Sequence, residues 1–482
     1  MFTSTTFASI LPEILILILA ILIFIVEPFW KVEQRRNTGW LTAGGLLAAM
    51  ALSLLFGQPG EPTTTFGGMI RFDWLGFFFK LLFMFAGAAT ALLFMDNEKI
   101  GHRGEAYLLL LASLLGMDLM AASADLVMLY LAIETTSIPL YVLSGFMLTD
   151  KKSTEAGFKY LLFGAFASTI MLYGFSLVFG FAGMTDLYEL VGMFKAGGLS
   201  LAAVLGVLAL ILVGLGFKVS IVPFHFWAPD VYEGAPTPVS GFLSTASKAA
   251  GFAVLVRLFL VAFPEFSASW TLTLAILAAI TMTFGNLLTL QQTNIKRLLA
   301  YSSVAHAGYA MIGVVAFTKL GVTSVIFYLA AYILTNLLAF GVVMAFSRVT
   351  GVDDIKDFAG MSRRNPWLAL MMLAAFLSLA GMPPFGGFVA KVFVFTAGVE
   401  AGYVWLVFVG IVNSIIGVYY YLNVMKYVYL YRMPNEDEEN HPVLLTRPYA
   451  ITLAVLAIGV ILIGTVFAPW FGWSEAAALT LF

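Results

Sequence analysis

Cysteine is absent from this chain of 482 residues, so its own side chains can form no disulfide, haem thiolate or cysteine-ligated iron–sulfur cluster. Histidine is scarce: the four present are widely separated and leave little material for a metal site. Charge is scarce too. Only 11% of the residues are Asp, Glu, Lys or Arg, against roughly a quarter in soluble globular proteins, which excludes a water-soluble enzyme. No phosphate-binding loop, dinucleotide glycine pattern, EF-hand loop or zincin helix occurs. No basic run mixed with aromatics points to nucleic acid, and a net charge of −2 selects no partner. Energy must come from an ion gradient or from a coupled partner.

What the chain has is apolar length. Hydrophobic residues make up 61% of it, and stretches of about 20 apolar residues, enough to cross a hydrocarbon core of about 30 Å, recur from end to end. The expected fold is all-α and polytopic. Spans are placed near 9–29, 38–57, 72–95, 104–122, 124–148, 157–180, 198–221, 237–263, 270–289, 297–317, 322–347, 366–390, 403–429 and 449–469. The first has no basic leader and no small-residue cleavage site behind it, and reads as a retained span. An even number of spans puts both termini on one side.

Basic residues choose that side. Alternate connectors, counted from the first, carry Lys31, Arg35, Arg36, Lys99, Arg103, Lys151, Lys152, Lys159, Lys296, Arg297, Arg348, Lys356, Arg363, Arg364, Lys426, Arg432 and Arg447; the other face has Arg71, Lys195 and Lys319. The first set is expected in the cytoplasm of a bacterial cell, with both termini periplasmic in a multi-pass inner-membrane protein. The run NEDEEN between Met433 and Thr446 reads as a solvated face, and residues 349–365 as a solvated loop or a docking site for a partner.

Two segments are too long for one simple span. Residues 198–230 contain Pro223, and residues 366–398 contain Pro383 and Pro384. Proline removes a backbone donor and clashes with the preceding turn, so both helices should break inside the membrane. Freed backbone groups at that depth are tolerable where they line a cavity or are buried in protein. The breaks fall in the seventh and twelfth spans, as two inverted units of five would require. The division expected is 1–100 (three spans), 101–265 (spans 4–8), 266–430 (spans 9–13) and 431–482 (the last connector and span).

Charges also lie where lipid should be. Glu134 is central in the fifth span, Lys218 is in the seventh, Lys248 is central in the eighth and Lys391 follows the second break. Facing lipid, each would cost several kcal/mol, so each must face protein or water. Desolvation favours the neutral amine and a nearby carboxylate favours the ammonium, so a lysine whose partner approaches or withdraws can take up or release a proton. Glu134 with Lys218 is the pair expected to do this, with Lys248 receiving the proton and Lys391 at the exit of the second half. A static ion pair that fixes helix packing is the competing reading. His225, just after Pro223, and His306, beside Ser302, Ser303 and Tyr309, are relay candidates, or neutral histidines satisfied by a serine or a carbonyl. Lys80, Arg257 and Asp125 are expected to reach an interface from near the helix ends.

GFKVSIVPFHFWAPDVYEGAPTP at 216–238, LLAYSSVAHAGY at 298–309 and LAGMPPFGGFVAK at 379–391 together resemble the antiporter-like membrane subunits of proton-pumping respiratory complex I, which are similar in turn to subunits of multisubunit cation/proton antiporters. The resemblance implies fourteen helices in which Glu134 matches the carboxylate of the fifth, Lys218 the lysine of the broken seventh, Lys248 the connecting lysine of the eighth, Lys391 the terminal lysine of the twelfth and His225 the histidine after the first break. A lysine at 391 and the expected lack of a long lateral helix resemble the N-type branch. The resemblance also implies no cofactor in this chain. NADH, FMN, iron–sulfur clusters and quinone would belong to partner subunits, reached through neighbouring membrane subunits and a peripheral redox arm, with lipid around the chain. The function implied is proton translocation driven by electron transfer elsewhere. The alternatives are a sodium/proton antiporter subunit and a non-conducting structural subunit.

Overall fold

The structure is a computed structural model that describes residues 4–31, 33–97, 99–195, 200–432 and 442–482; most of the expected acidic face after Met433 lies outside them. Among the described residues thirteen helices are long and apolar enough to cross a membrane. The interrupted pair Pro366–Ala380 and Gly386–Glu400 completes the expected set.

Polar residues at the span ends set the boundaries by capping. Asp73 accepts from the Gly76 amide at the start of Trp74–Phe94, and Asp125 accepts from Val127 and Met128 at the start of Leu126–Ser144. Asn294 and Asn365 do the same for Ile295–Val315 and Pro366–Ala380. The Asp125 cap leaves only Ser123 to Asp125 between spans 4 and 5. Glycines in the left-handed region, Gly183 and Gly351, end the two 32-residue helices Lys151–Ala182 and Lys319–Thr350.

Spans 8, 10 and 11 (Thr237–Ala262, Ile295–Val315, Lys319–Thr350) are almost wholly buried and form the axis of the molecule. The outer helices, above all Leu11–Val26, Lys151–Ala182, Val404–Tyr429 and Arg447–Thr465, turn large apolar side chains outward. A surface of this kind suits lipid or other membrane chains. Span 8 is not a plain α-helix: π-helical turns at Leu243–Ser247 and Leu258–Ala262 bracket the α-helix Lys248–Arg257.

Ion pairs at the two rims test the span count. Asp96, after span 3, pairs with Arg36 from the first connector and with Arg348 at the end of span 11 at 3.0 Å. Glu233, before span 8, meets Lys152 at 2.7 Å and Arg297 at 3.0 Å; Asp230 meets Lys159 at 2.6 Å and Arg297 at 2.8 Å. Lys296 pairs with Asp353 at 2.7 Å. All of these join odd-numbered connectors. On the other rim Lys195 pairs with Glu265 at 3.5 Å and Lys319 with Glu475 at 2.7 Å, joining even-numbered ones and the C-terminal segment. A single miscounted span would have mixed the two sets.

The same pairs explain why the connector at Asp230 has no basic residue of its own. Burial pushes the Asp230 and Glu233 carboxyls up, but hydrogen bonds from Lys159 and Arg297 to one, and from Lys152 and Arg297 to the other, outweigh it and hold both below the usual carboxylate range. A depressed carboxyl contributes stability above its unfolded pKa that is lost as pH falls through the folded one. The thermal midpoint of the solubilised protein should therefore drop as pH falls below about 4, and drop less in the double variant Asp230→Asn, Glu233→Gln.

Candidate functional site: a buried lysine axis

Both proline segments break their helices, and in both the freed backbone groups find partners. Span 7 runs Leu201–Val219, ends on Ser220 at φ 60°, and resumes at Trp227–Gly234. The Ile221 amide bonds back to the Gly216 carbonyl, the Val222 amide donates to Thr281 Oγ1 at 3.1 Å, and Trp227 Nε1 donates to the Phe217 carbonyl at 3.1 Å. Span 12 ends at Gly381, φ 83°, and resumes at Gly386.

The two break-associated lysines are held differently. Lys218 lies one residue before the end of its half-helix and donates to Ser137 Oγ at 3.0 Å, across to span 5. Its stem passes Gly251 of span 8, where any side chain would collide with Lys218 and Val219. Glu134 lines the same small cavity as Lys218, Ser137 and Tyr141, but the Lys218 ammonium bonds to Ser137 and not to Glu134, and Glu134 Oε1 has no hydrogen-bond partner. Ser137, three residues beyond Glu134 on the same helix face, stands in for the carboxylate. Lys391 lies after its break and reaches back across it, donating to the Leu379 and Ala380 carbonyls at 3.1 and 3.0 Å and to Ser414 Oγ at 2.9 Å. An ammonium there sits at the negative end of a half-helix, where the last carbonyls have no intrahelical donors.

Lys248 donates to the carbonyl of Ser303 at 2.8 Å and also to its hydroxyl. Span 10 continues the polar line. Ser302 and His306 share the Tyr421 hydroxyl, His306 Nε2 at 3.3 Å from it, and His306 Nδ1 lies 2.6 Å from the Tyr328 hydroxyl. One turn further, the Tyr309 ring lies under the Lys391 ammonium, 4.9 Å from ring centre to nitrogen. Residues 302, 303, 306 and 309 thus form one stripe of a helix leading from Lys248 to Lys391. His225 is buried in the turn of span 7 against Phe226; its Nδ1 has no partner, and no hydrogen bond carries it to Lys218.

Lys80 and Arg257 depart from expectation. Neither reaches an interface. Lys80 is buried with Glu13 at 2.6 Å, and Arg257 forms a two-pronged pair with Asp73 at 2.6 and 2.9 Å, completed by Tyr188 and the Ala121 carbonyl. Their carboxylates come from spans distant in sequence, which no local pattern signals. Asp125, grouped with them as a residue reaching an interface, caps span 5 instead, accepting from the Val127 and Met128 amides. Sequence reasoning also missed Ser137, Ser414, Tyr328 and Tyr421. Hydroxyls on apolar helices are common, and only the spacing of 302, 303, 306 and 309 was readable. No group of three His, Asp or Glu side chains among the described residues is arranged to hold a metal ion.

Two proline-broken helices packed around a line of buried lysines define a polytopic membrane chain of the broken-helix transporter class. The model of the NADH:quinone oxidoreductase/Mrp antiporter transmembrane family matches residues 123–417, and the chain belongs to that family. A relative from Moorella thermoacetica, named NADH-quinone oxidoreductase subunit N, is 43% identical over 93% of this chain and 94% of its own length. A chain of respiratory complex I from Thermus thermophilus is 32% identical with a TM-score of 0.80, covering 96% of this chain and 98% of that one. A chain of the Mrp complex from Dietzia superposes with a TM-score of 0.85 over 100% of this chain and 98% of that one, at 20% identity, and so shares the fold.

Proposed function

We propose that this chain moves protons across a bacterial inner membrane as a subunit of an NADH:quinone oxidoreductase, driven by electron transfer in partner subunits. NADH, FMN, iron–sulfur clusters and quinone are held by those partners, which comprise neighbouring membrane subunits and a peripheral redox arm. The basic rim faces the cytoplasm and both termini face the periplasm. Residues 101–265 and 266–430 are the two inverted halves, flanked by 1–100 and 431–482.

One contrast carries this reading. Lys80 and Arg257, also buried, each have a carboxylate within 2.6 Å, whereas Lys218, Lys248 and Lys391 have only hydroxyls and backbone carbonyls. A static packing role for a buried cation calls for a counter-ion, because an unpaired buried charge is costly. A lysine held by neutral groups can shed that cost by releasing its proton. Glu134, in the same cavity as Lys218 yet unpaired with it, is the carboxylate whose approach would recharge the amine. From Lys218 the proton passes to Lys248, along Ser303, His306 and Tyr309, and to Lys391; His225, unbonded to Lys218 in this arrangement, would join the path only after a rearrangement at the first break.

Substituting Lys218→Ala in the native complex should leave assembly intact and abolish most of the proton translocation coupled to quinone reduction. Pumping at the parental ratio in a normally assembled variant would sink the role. If pumping instead depended on sodium, the antiporter reading suggested by the second half of the family description would take over. Loss of assembly with unchanged pumping per assembled complex would indicate a structural subunit. A finer test is Tyr421→Phe, which strands Ser302 and His306 Nε2 together. Losing one buried hydrogen-bonding group costs about 1–3 kcal/mol, so transfer through the second half should slow by about tenfold or more, read as proton flux at fixed electron flux.

A further inference from the structure

Three titratable side chains lie on neighbouring spans outside the lysine axis, near the end of the membrane opposite the basic rim. Glu13 comes from span 1, Lys80 from span 3 and Asp118 from span 4 (Leu11–Val26, Trp74–Phe94, Gly104–Ala122). All three are buried, Asp118 completely. Lys80 pairs with Glu13 at 2.6 Å and donates to the Ser9 carbonyl at 2.9 Å. Asp118 lies within electrostatic reach of both Glu13 and Lys80, but neither of its oxygens has a hydrogen-bond partner.

Charge counting makes this arrangement unusual. Two buried carboxylates and one ammonium leave a net negative charge in a medium that penalises it heavily, unless one carboxyl carries a proton. The helices say which one. Glu13 is in the first turn of its helix, where the partial positive charge of the N-terminus favours a carboxylate. Asp118 stands just before the last turn of its helix, whose partial negative charge opposes one. Other charged groups nearby are already engaged. Arg257 of span 8 and Asp73 neutralise each other, Tyr188 accepts from Arg257, and Arg71 lies over the Tyr188 ring. Asp125 at the head of span 5 is occupied by two amides, and span 2 (Thr38–Phe56) has no charged residue.

We propose that Glu13, Lys80 and Asp118 form a separate proton-binding site, in which one proton is shared between two carboxyls around a single ammonium. In the arrangement seen, Lys80 pairs with Glu13, which assigns the proton to Asp118. In the other, the O–H bond on Asp118 breaks, one forms on Glu13, and Lys80 turns to the Asp118 anion; the charge of the cluster is unchanged. Lys80 also lines a cavity of about 10 Å³ beside Ser9, Arg71 and Asp73, close to the room one water needs. A water there would contact the ammonium, the member of the cluster that both carboxyls share, so the site can be hydrated independently of Lys218, Lys248 and Lys391.

The test is infrared spectroscopy of the carboxylic C=O stretch in the assembled complex at neutral pH. Asp118→Asn should remove one protonated-carboxyl band. Glu13→Gln should remove it as well, because Lys80 is then free to pair with Asp118 and ionise it. A band that survives Asp118→Asn, or one that is lost there but kept in Glu13→Gln, overturns the shared-proton site. Should Asp118→Asn fail to assemble, carbon-13 aspartate labelling of the unaltered complex decides: a protonated-carboxyl band that shifts with the label supports the proposal, and the absence of any such band overturns it.

Discussion

Arg257→Ala should destabilise the folded chain by about 3–5 kcal/mol, the cost of removing one partner from a buried ion pair, and largely abolish assembly. The guanidinium is 2% exposed and ties together four pieces of structure: Asp73 before span 3, the end of span 4 through the Ala121 carbonyl, Tyr188 after span 6, and span 8 itself. Asp73 would be left as an unpaired buried anion. Arg257→Lys should rescue only in part, since one ammonium cannot reproduce a two-pronged contact and still reach the carbonyl. The double variant Arg257→Met, Asp73→Asn removes both charges and should recover much of the loss. Thermal unfolding of the purified complex and its yield from membranes measure all three, and an Arg257→Ala protein of parental stability would refute the argument.

Gly387→Ala is expected to disable the second break. A Cβ at this position would lie 1.9 Å from the Ser378 carbonyl oxygen, an overlap that cannot be relieved by turning a side chain because the obstacle is backbone. The Gly387 amide also donates to Ser378 Oγ at 3.1 Å, so the half-helices must stay in contact here. Overpacking of this kind costs about 1–3 kcal/mol, occasionally more. Separating the half-helices would draw Lys391 away from the Leu379 and Ala380 carbonyls. The expected readout is quinone reduction that persists while proton translocation falls severalfold, with reduced heat resistance. Gly206→Ala is the control: nothing lies within 4 Å of a Cβ there, and alanine in a helix should be neutral or stabilising by up to about 1 kcal/mol.

Much of the architecture was legible because the bilayer imposes length and apolarity on every span. Pro223, Pro383 and Pro384 announced the breaks through a property intrinsic to proline. Basic residues sorted the connectors, and the rim pairs of Asp96, Asp230 and Glu233 join the connectors so sorted. The buried lysines stood out against an apolar background for the same reason. Contacts between distant spans were not legible. Glu13 and Lys80 are separated by one whole span, and Asp73 and Arg257 by five, so proximity to a helix end suggested an interface where the fold supplies a counter-ion. The substitution of Ser137 for Glu134 as the direct partner of Lys218 is likewise a matter of side-chain reach within one helical turn, beyond what spacing resolves. The π-helical turns around Lys248 have no local signature in the sequence.

The sorting of ion pairs by rim has a consequence for biogenesis. Each rim pair contributes little energy on its own, yet each can form only if every intervening span has crossed in the right direction. A chain that skipped span 2 or 3 during insertion would strand Arg36 away from Asp96, one that skipped any of spans 4–11 would strand Arg348 away from it, and one that skipped span 8 or 9 would strand Arg297 away from Asp230 and Glu233. Correctly threaded molecules would close both rims; misthreaded ones would leave charges unmatched at the membrane surface. The surface pairs, weak as fasteners, can serve as a proofreading mark.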